Sequence, residues 1–345
     1  MSAGPRLATV LALCLAGGLS PALAQSGARV ALQGAGATFP APLYKKWIGE
    51  YAKADSMTAI DYRDVGSGEG ARRFLARQVD FGASDAGLSD EQLAAAGDAK
   101  LIPTTAGMIV LAYNAPNIGG PLKLSRTTYV DLLNGRIPKW NDARIEGANP
   151  GLKLPARDIV LAVRLDASGT TYALTNHLNA ASDRWRRTGQ GVTNLVDWRG
   201  TAMRAKGNEG VAALIQRNPW TIGYVEYGYA KRLGLAMAHI ENKAGKFVEP
   251  SAASGAAAIA ANLKEVPEHL RVFFADPEGE DAYPIVTLTW LLLRDRHPDP
   301  AKGEALKRFV DWALTKGQPY GAELGFVPLP QGMLERALAA ARATR

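Results

Sequence analysis

Gly34-Ala35-Gly36-Ala37-Thr38-Phe39-Pro40 follows the apolar Val30-Ala31-Leu32 and leads into residues 40–54, where Leu43, Trp47, Ile48 and Tyr51 recur at helical spacing. The order is strand, small-residue turn bearing a hydroxyl, then helix, with Pro40 suited to a first helical turn. That order recurs twice. Gly66-Ser67-Gly68-Glu69-Gly70 stands between a predicted strand over 59–65 and a predicted helix over 68–78. Arg164-Leu165-Asp166-Ala167-Ser168-Gly169-Thr170-Thr171 stands between a strand over 159–163 and a helix over 170–179. Further strands are expected at 79–83, 108–114, 222–225 and 285–293. Further helices are expected at 89–95, 126–134, 209–217, 252–261, 301–315 and 334–342. Strand and helix alternate throughout, which predicts an α/β fold with largely parallel sheets. No internal repeat of fixed period is present.

The chain has 345 residues, enough for two domains, and is 47% hydrophobic. This composition is neither disordered nor fibrous. Forty Lys and Arg against thirty-three Asp and Glu leave a formal charge of +7. The basic residues lie scattered among acids, so no nucleic-acid footprint is expected. A modest positive excess suits an anionic ligand without demanding one. Arg6, the apolar run over 7–19 and Ala22-Leu23-Ala24 together read as a secretion signal cleaved after Ala24. The apolar run is too short to span a bilayer. A membrane anchor and a lipoprotein acylated at Cys14 are the alternatives; bulky Leu13 disfavours the second. Cys14 is the one cysteine, so the exported chain has no thiol nucleophile, disulfide or thiolate metal site.

Helix N-termini present unpaired N–H groups and the positive end of the macrodipole. Glycine admits a ligand close to the backbone, and Ser or Thr adds a donor, so such turns suit an oxyanion. Plain helix capping explains any one turn by itself. Three turns, one with an arginine four residues ahead of its serine, point to an anion site. Arg164 and Asp166 face the same side of an extended segment. The carboxylate would hold the guanidinium while it forks onto the anion; a surface ion pair of little consequence is the alternative. Val79-Asp80-Phe81-Gly82-Ala83-Ser84-Asp85-Ala86 adds an acid at a strand end. A carboxylate facing an anion makes sense where the anion carries a proton. Phosphate near neutral pH does and sulfate does not, and a mismatch of that type costs roughly 10⁴–10⁵ in selectivity. Alternatively, Asp85 caps the following helix.

At these residues the chain resembles the periplasmic phosphate-binding protein family of high-affinity phosphate ABC transporters. The resemblance covers nearly the whole chain after Ala24. It is carried by the stretches from Gly34 to Pro42, Val79 to Ala86 and Asp166 to Thr170, with Gly207-Asn208-Glu209-Gly210 and Ile222-Gly223-Tyr224-Val225-Glu226-Tyr227. It implies a type II two-lobed binding-protein fold, each lobe a mostly parallel sheet flanked by helices, joined by a hinge. Residues 25–107 and 282–345 would form one lobe and 108–281 the other. It implies phosphate contacts from Thr38, Phe39, Ser67, Asp85, Arg164, Ser168, Gly169 and Thr170, with Asp166 holding Arg164. It also implies a monomeric periplasmic carrier that needs no cofactor or metal, catalyses no reaction and delivers phosphate to membrane permease subunits. Two departures stand out. The second turn commonly reads Gly-Ser-Ser-Gly-Gly in relatives, so Gly68 and Glu69 are unusual and Glu69 brings negative charge near the site. Ala167 replaces a common glycine.

Three other readings compete. Gly66-Ser67-Gly68-Glu69-Gly70-Ala71 fits a dinucleotide fingerprint with Asp85 downstream, but that reading ignores the other two turns. Gly82-Ala83-Ser84-Asp85-Ala86 loosely resembles a hydrolase nucleophile elbow. Its base would have to be His177, His239, His269 or His297, none of which stands in a motif. The seven tryptophans are dispersed, which favours core packing over a carbohydrate platform.

Overall fold

The computed structural model describes Met1, Gly4, residues 29–263 and residues 267–345. The expected secretion signal and Cys14 lie outside the described residues. Among the described residues there are twelve strands: β1 (Val30–Gly36), β2 (Thr58–Arg63), β3 (Phe81–Ser84), β4 (Ala99–Asn114), β5 (Lys123–Leu124), β6 (Val160–Arg164), β7 (Ala202–Ala205), β8 (Thr221–Glu226), β9 (Ala236–Met237), β10 (His239–Glu241), β11 (Phe247–Val248) and β12 (Val286–Arg294). The main sheet runs β2-β1-β3-β12-β4-β8-β6-β7, with β9 also on β4; β11-β10-β5 form a small second sheet. Pairing is parallel across β2-β1-β3 and across β8-β6-β7. β12 and β4, which join those sets, pair antiparallel. The fold is thus α/β with two parallel sets inside a mixed sheet.

β4 connects the two sets. Ala99 to Met108 pair with β12, and Ile109 to Asn114 pair with β8, so the strand changes partner between Met108 and Ile109. Only the second half was legible as a strand, because Pro103 and Gly107 interrupt the first. A proline cannot donate to a ladder and is tolerated at a bulge. Here the register slips beside it: Trp290 pairs with Pro103, whereas Thr289 pairs with Thr105. Thr104, left over, is not wasted. Its Oγ1 meets the Tyr44 hydroxyl at 2.7 Å, and its carbonyl accepts from Gln318 Nε2 at 3.2 Å.

Helix Ala41–Ala54 buries Leu43, Tyr44, Trp47 and Tyr51 against the sheet. The Trp47 indole N–H donates to the Gly317 carbonyl at 2.6 Å. Predicted helices elsewhere are present within three residues of their expected ends; the largest differences are the helix expected over 68–78, which ends at Leu75, and the one expected over 334–342, which starts at Gln331. The short helices Ala143–Glu146, Asp183–Arg186, Tyr227–Arg232 and Pro319–Glu323 were not expected; each is too brief to show a periodic face.

The carboxyl ends of β1, β3 and β6 converge where the two halves of the sheet meet. In open α/β sheets that is the place where ligands bind. Close packing of helix Ser67–Leu75 brings the second turn there. A Cβ on Gly70 would lie 2.3 Å from Gly36 Cα and 2.9 Å from the Ala35 carbonyl oxygen. Gly70→Ala must lift the helix from β1. We expect a stability loss of roughly 2–3 kcal/mol in denaturant unfolding; unchanged stability would contradict this packing.

Candidate functional site

Arg164, the last residue of β6, is buried. Its Nε donates to Asp166 Oδ1 at 2.9 Å, its Nη2 donates to Asp166 Oδ2, and its Nη1 reaches Thr170 Oγ1 at 3.3 Å. Asp166 Oδ1 also accepts the Gly207 amide at 3.0 Å. Burial alone would raise the Asp166 pKa, but the Arg164 hydrogen bond and charge, with the Gly207 amide, hold it below the ordinary value. The guanidinium is therefore fixed in plane, with its remaining N–H groups turned from Asp166.

Ser168 caps helix Gly169–Ala181, its Oγ accepting the Thr171 amide at 3.1 Å. Its own backbone N–H donates to the Asn194 carbonyl at 2.8 Å, so its free donor is the hydroxyl. Gly169 and Thr170 follow as the first helical residues, whose amides have no intrahelical acceptor. Thr38 and Phe39 occupy the turn between β1 and helix Ala41–Ala54 and are buried. Among the described residues their amides donate to no other backbone group. The Phe39 ring is seated against Phe326, at 5.8 Å between centroids, and over Gly107.

Asp85 lies just past β3 and is buried. Its Oδ1 accepts from Thr289 Oγ1 at 2.8 Å, and its Oδ2 accepts from Ser67 Oγ at 3.3 Å. Ser67 Oγ accepts the Asp85 amide at 3.2 Å. Burial pushes the Asp85 carboxyl up to about 7, against the opposing effects of the Thr289 hydrogen bond, the Arg164 charge and the Ser67 hydrogen bond. Gly169 closes on this pair: a Cβ there would lie 2.4 Å from both Asp85 Oδ2 and Ser67 Oγ. The third turn thus meets the second turn and the acid face to face.

These contacts draw Thr170, Arg164 and half-buried Asp166 together and set Gly169 against Ser67 and Asp85, with Ser168 adjoining in the chain; Thr38 and Phe39 lie on the turn after β1, the Phe39 ring packing on Phe326. Four partners were missed in the sequence. Asn208 bridges Thr38 and Thr170, with Nδ2 at 3.1 Å and 3.0 Å from their hydroxyl oxygens. Thr289 donates to Asp85 from a strand that reads simply as an apolar run. The Tyr229 hydroxyl donates to the Thr38 carbonyl at 2.7 Å. Glu226 is buried at the start of helix Tyr227–Arg232 and caps it; burial pushes its carboxyl up to about 8.

The two unusual turn residues face one another. The Gly68 amide donates to the Ala167 carbonyl at 3.0 Å, and a Cβ on Gly68 would lie 2.5 Å from that of Ala167. The missing side chain at 68 makes room for the methyl at 167. Glu69 is bound by Arg72 and Arg73 of its own helix at 2.7 Å and 2.6 Å. Those hydrogen bonds hold its carboxyl at about 2, and its charge is met before the site is reached. Recesses of about 570 Å³ and 730 Å³ flank the network. Ser67, Gly68 and Asn194 line the first; Thr38, Asp166 and Gly207 line the second.

The arrangement does not make a hydrolase. Ser84 Oγ donates to the Gly87 carbonyl and accepts the Ala86 amide. His177 is buried between the Tyr129 hydroxyl and the Ala275 carbonyl. Among the described residues no group of three His, Cys, Asp or Glu is placed to hold a metal ion.

The sequence model described as the PBP superfamily domain matches residues 23–316. The phosphate-binding protein PstS of Pasteurella multocida is 40% identical over 307 residues, spanning 88% of each chain. That of Haemophilus influenzae is 38% identical, covering 87% of this chain and 89% of its own. The chain belongs to the phosphate-binding protein family of the PBP superfamily. Among solved structures, a high affinity periplasmic phosphate-binding protein (PfluDING) bound with phosphate superposes with a TM-score of 0.73 at 21% identity, covering 90% of this chain and 93% of that one. The fold is thus the type II binding-protein fold, and members of this family are solute-binding proteins and not enzymes.

Asp85 gives the unliganded fold a pH dependence of definite sign. Its carboxyl ionises at 3.8 when free and at about 7 when folded. Between those values the native state holds a proton that the unfolded chain releases, so stability falls as pH rises across that window. Asp85→Asn removes the effect. Relative to the parent, the anion-free variant should match below pH 4 and gain about 2–4 kcal/mol above pH 7, read from chemical denaturation at both pH values. A variant no more stable at high pH would contradict the burial argument.

Proposed function

We propose that the protein is an exported carrier that captures inorganic phosphate between two lobes and delivers it to the permease of an ABC transporter. The observation that carries this is the meeting of one fixed guanidinium, four hydroxyls, helix-start amides and a protonatable carboxyl in one buried network. Thr38 and Phe39 would give amides and a hydroxyl, and Ser67 a hydroxyl. Arg164, held by Asp166, would fork onto two oxygens. Ser168, Gly169 and Thr170 would complete the shell, and Asp85 would accept the phosphate proton. Above pH 7, where Asp85 is ionised, sulfate has no proton to offer and would meet a carboxylate stripped of water.

The lobes of this reading are residues 25–107 with 282–345, and residues 108–281. The partner change of β4 at Met108 and Ile109 supports one hinge crossing there. The segment before the second crossing touches both lobes. The Leu270 carbonyl accepts from Trp290, while Asp276 pairs with Arg126 at 2.6 Å. Contacts from Gly68 to Ala167 and from Asn208 to Thr38 then span the closed cleft, and phosphate would stabilise closure by bonding both sides. The carrier is a periplasmic monomer in this account. No helix among the described residues is long and apolar enough to cross a membrane.

Calorimetry on anion-free protein tests the reading. Phosphate should bind at micromolar Kd or tighter, and sulfate at least about 10³-fold more weakly. Arg164→Ala should weaken phosphate by about 100-fold or more, since two charged hydrogen bonds are lost, with circular dichroism unchanged. Equal affinity for sulfate, or an Arg164→Ala variant that binds as the parent does, would refute it.

A further inference from the structure

Thr38 and Thr170 approach the proposed phosphate site from opposite halves of the sheet, and the buried Asn208 stands between them. Its Oδ1 accepts the Glu226 backbone N–H at 3.0 Å. That bond fixes which way the amide faces: Nδ2 must point at the threonines. Nδ2 lies 3.1 Å from Thr38 Oγ1 and 3.0 Å from Thr170 Oγ1. The Asn208 backbone N–H adds a second bond to Thr38 Oγ1 at 3.2 Å, and Arg164 Nη1 adds a second to Thr170 Oγ1 at 3.3 Å.

A hydroxyl oxygen has two lone pairs and one proton. Each of these oxygens already accepts two N–H groups. Neither hydroxyl can accept again, so each must act as a donor. The direction left to its proton is away from Asn208 and Arg164.

We propose that Asn208 is a positioning residue: it locks the Thr38 and Thr170 hydroxyls as donors, which commits the site to an anion rich in acceptors. The proposal rests on the phosphate reading above. It also couples binding to closure. Asn208 follows β7 in one half of the sheet and Thr38 follows β1 in the other. The Asn208 bond to Thr38 therefore forms when the halves meet, and it orients that hydroxyl at the moment the ligand needs it. A ligand presenting its own O–H donors to these two positions would find no acceptor.

The test is a thermodynamic cycle in calorimetry with inorganic phosphate. It compares Asn208→Ala in the parent and in a Thr38→Val/Thr170→Val background. If Asn208 works through the two hydroxyls, Asn208→Ala weakens binding about tenfold or more in the parent and less than about threefold in the valine background. An equal loss in both backgrounds makes Asn208 a scaffold residue and overturns the proposal. Asn208→Ala leaves the Glu226 amide without its acceptor, so Asn208→Asp is run beside it. The aspartate keeps that acceptor and replaces the donor at Nδ2. Any direct charge repulsion enters both arms and cancels, so a larger loss in the parent supports the proposal and equal losses refute it. A parent that does not bind phosphate overturns the functional reading and this proposal together. A binding parent with an additive cycle overturns this proposal alone.

Discussion

A carboxyl group buried at the proposed phosphate site is the constraint around which the rest of this structure is arranged. Taking Asp85 out of water raises its pKa to about 7, and the price is a fold that is less stable at neutral pH than it would be without the acid. In the proposed mechanism phosphate offsets that cost by supplying the proton. The surrounding charge is kept in balance. Arg164 is matched by Asp166, and Glu69 by Arg72 and Arg73. The ligand would be gripped chiefly by amides, hydroxyls and one oriented guanidinium, whose effect grows in a dry cleft.

Geometry supplies what charge does not. β1 and β3 run one way and β6 the other, so their carboxyl ends face each other, and the helices after β1 and β6 start a few residues beyond those strands. Two glycines let the parts approach. Gly70 brings a helix onto β1, and Gly169 lets the third turn close on Asp85 and Ser67. The same closeness makes the site depend on both halves of the sheet. Asn208 touches the hydroxyls of Thr38 and Thr170, and Asp166 lies against Gly66.

Much of this was legible in the chain, because strand, small-residue turn and helix are local signals. The turns at Thr38, Ser67 and Ser168 could be placed by their own neighbours, and Asp85 by its position at a strand end. What escaped was non-local. Thr289 donates to an acid 204 positions away, from a strand whose composition reads only as core. It stands at the register slip beside Pro103, which no periodicity reveals. Asn208 lay within a quoted motif, yet its role follows from the Glu226 amide that orients it. The first half of β4 was hidden by a proline and a glycine that the bulge and the Phe39 ring accommodate. Gly68 and Ala167 looked like two separate departures until the fold set them against each other.

The phosphate-to-sulfate selectivity of Asp85→Asn above pH 8, where the parent's Asp85 carboxyl is ionised, tests the central claim most directly. An amide has no need of the ligand's proton and penalises sulfate far less. The account predicts that the ratio of the two dissociation constants falls by about 100-fold or more relative to the parent. A variant that still rejects sulfate as strongly as the parent would contradict it.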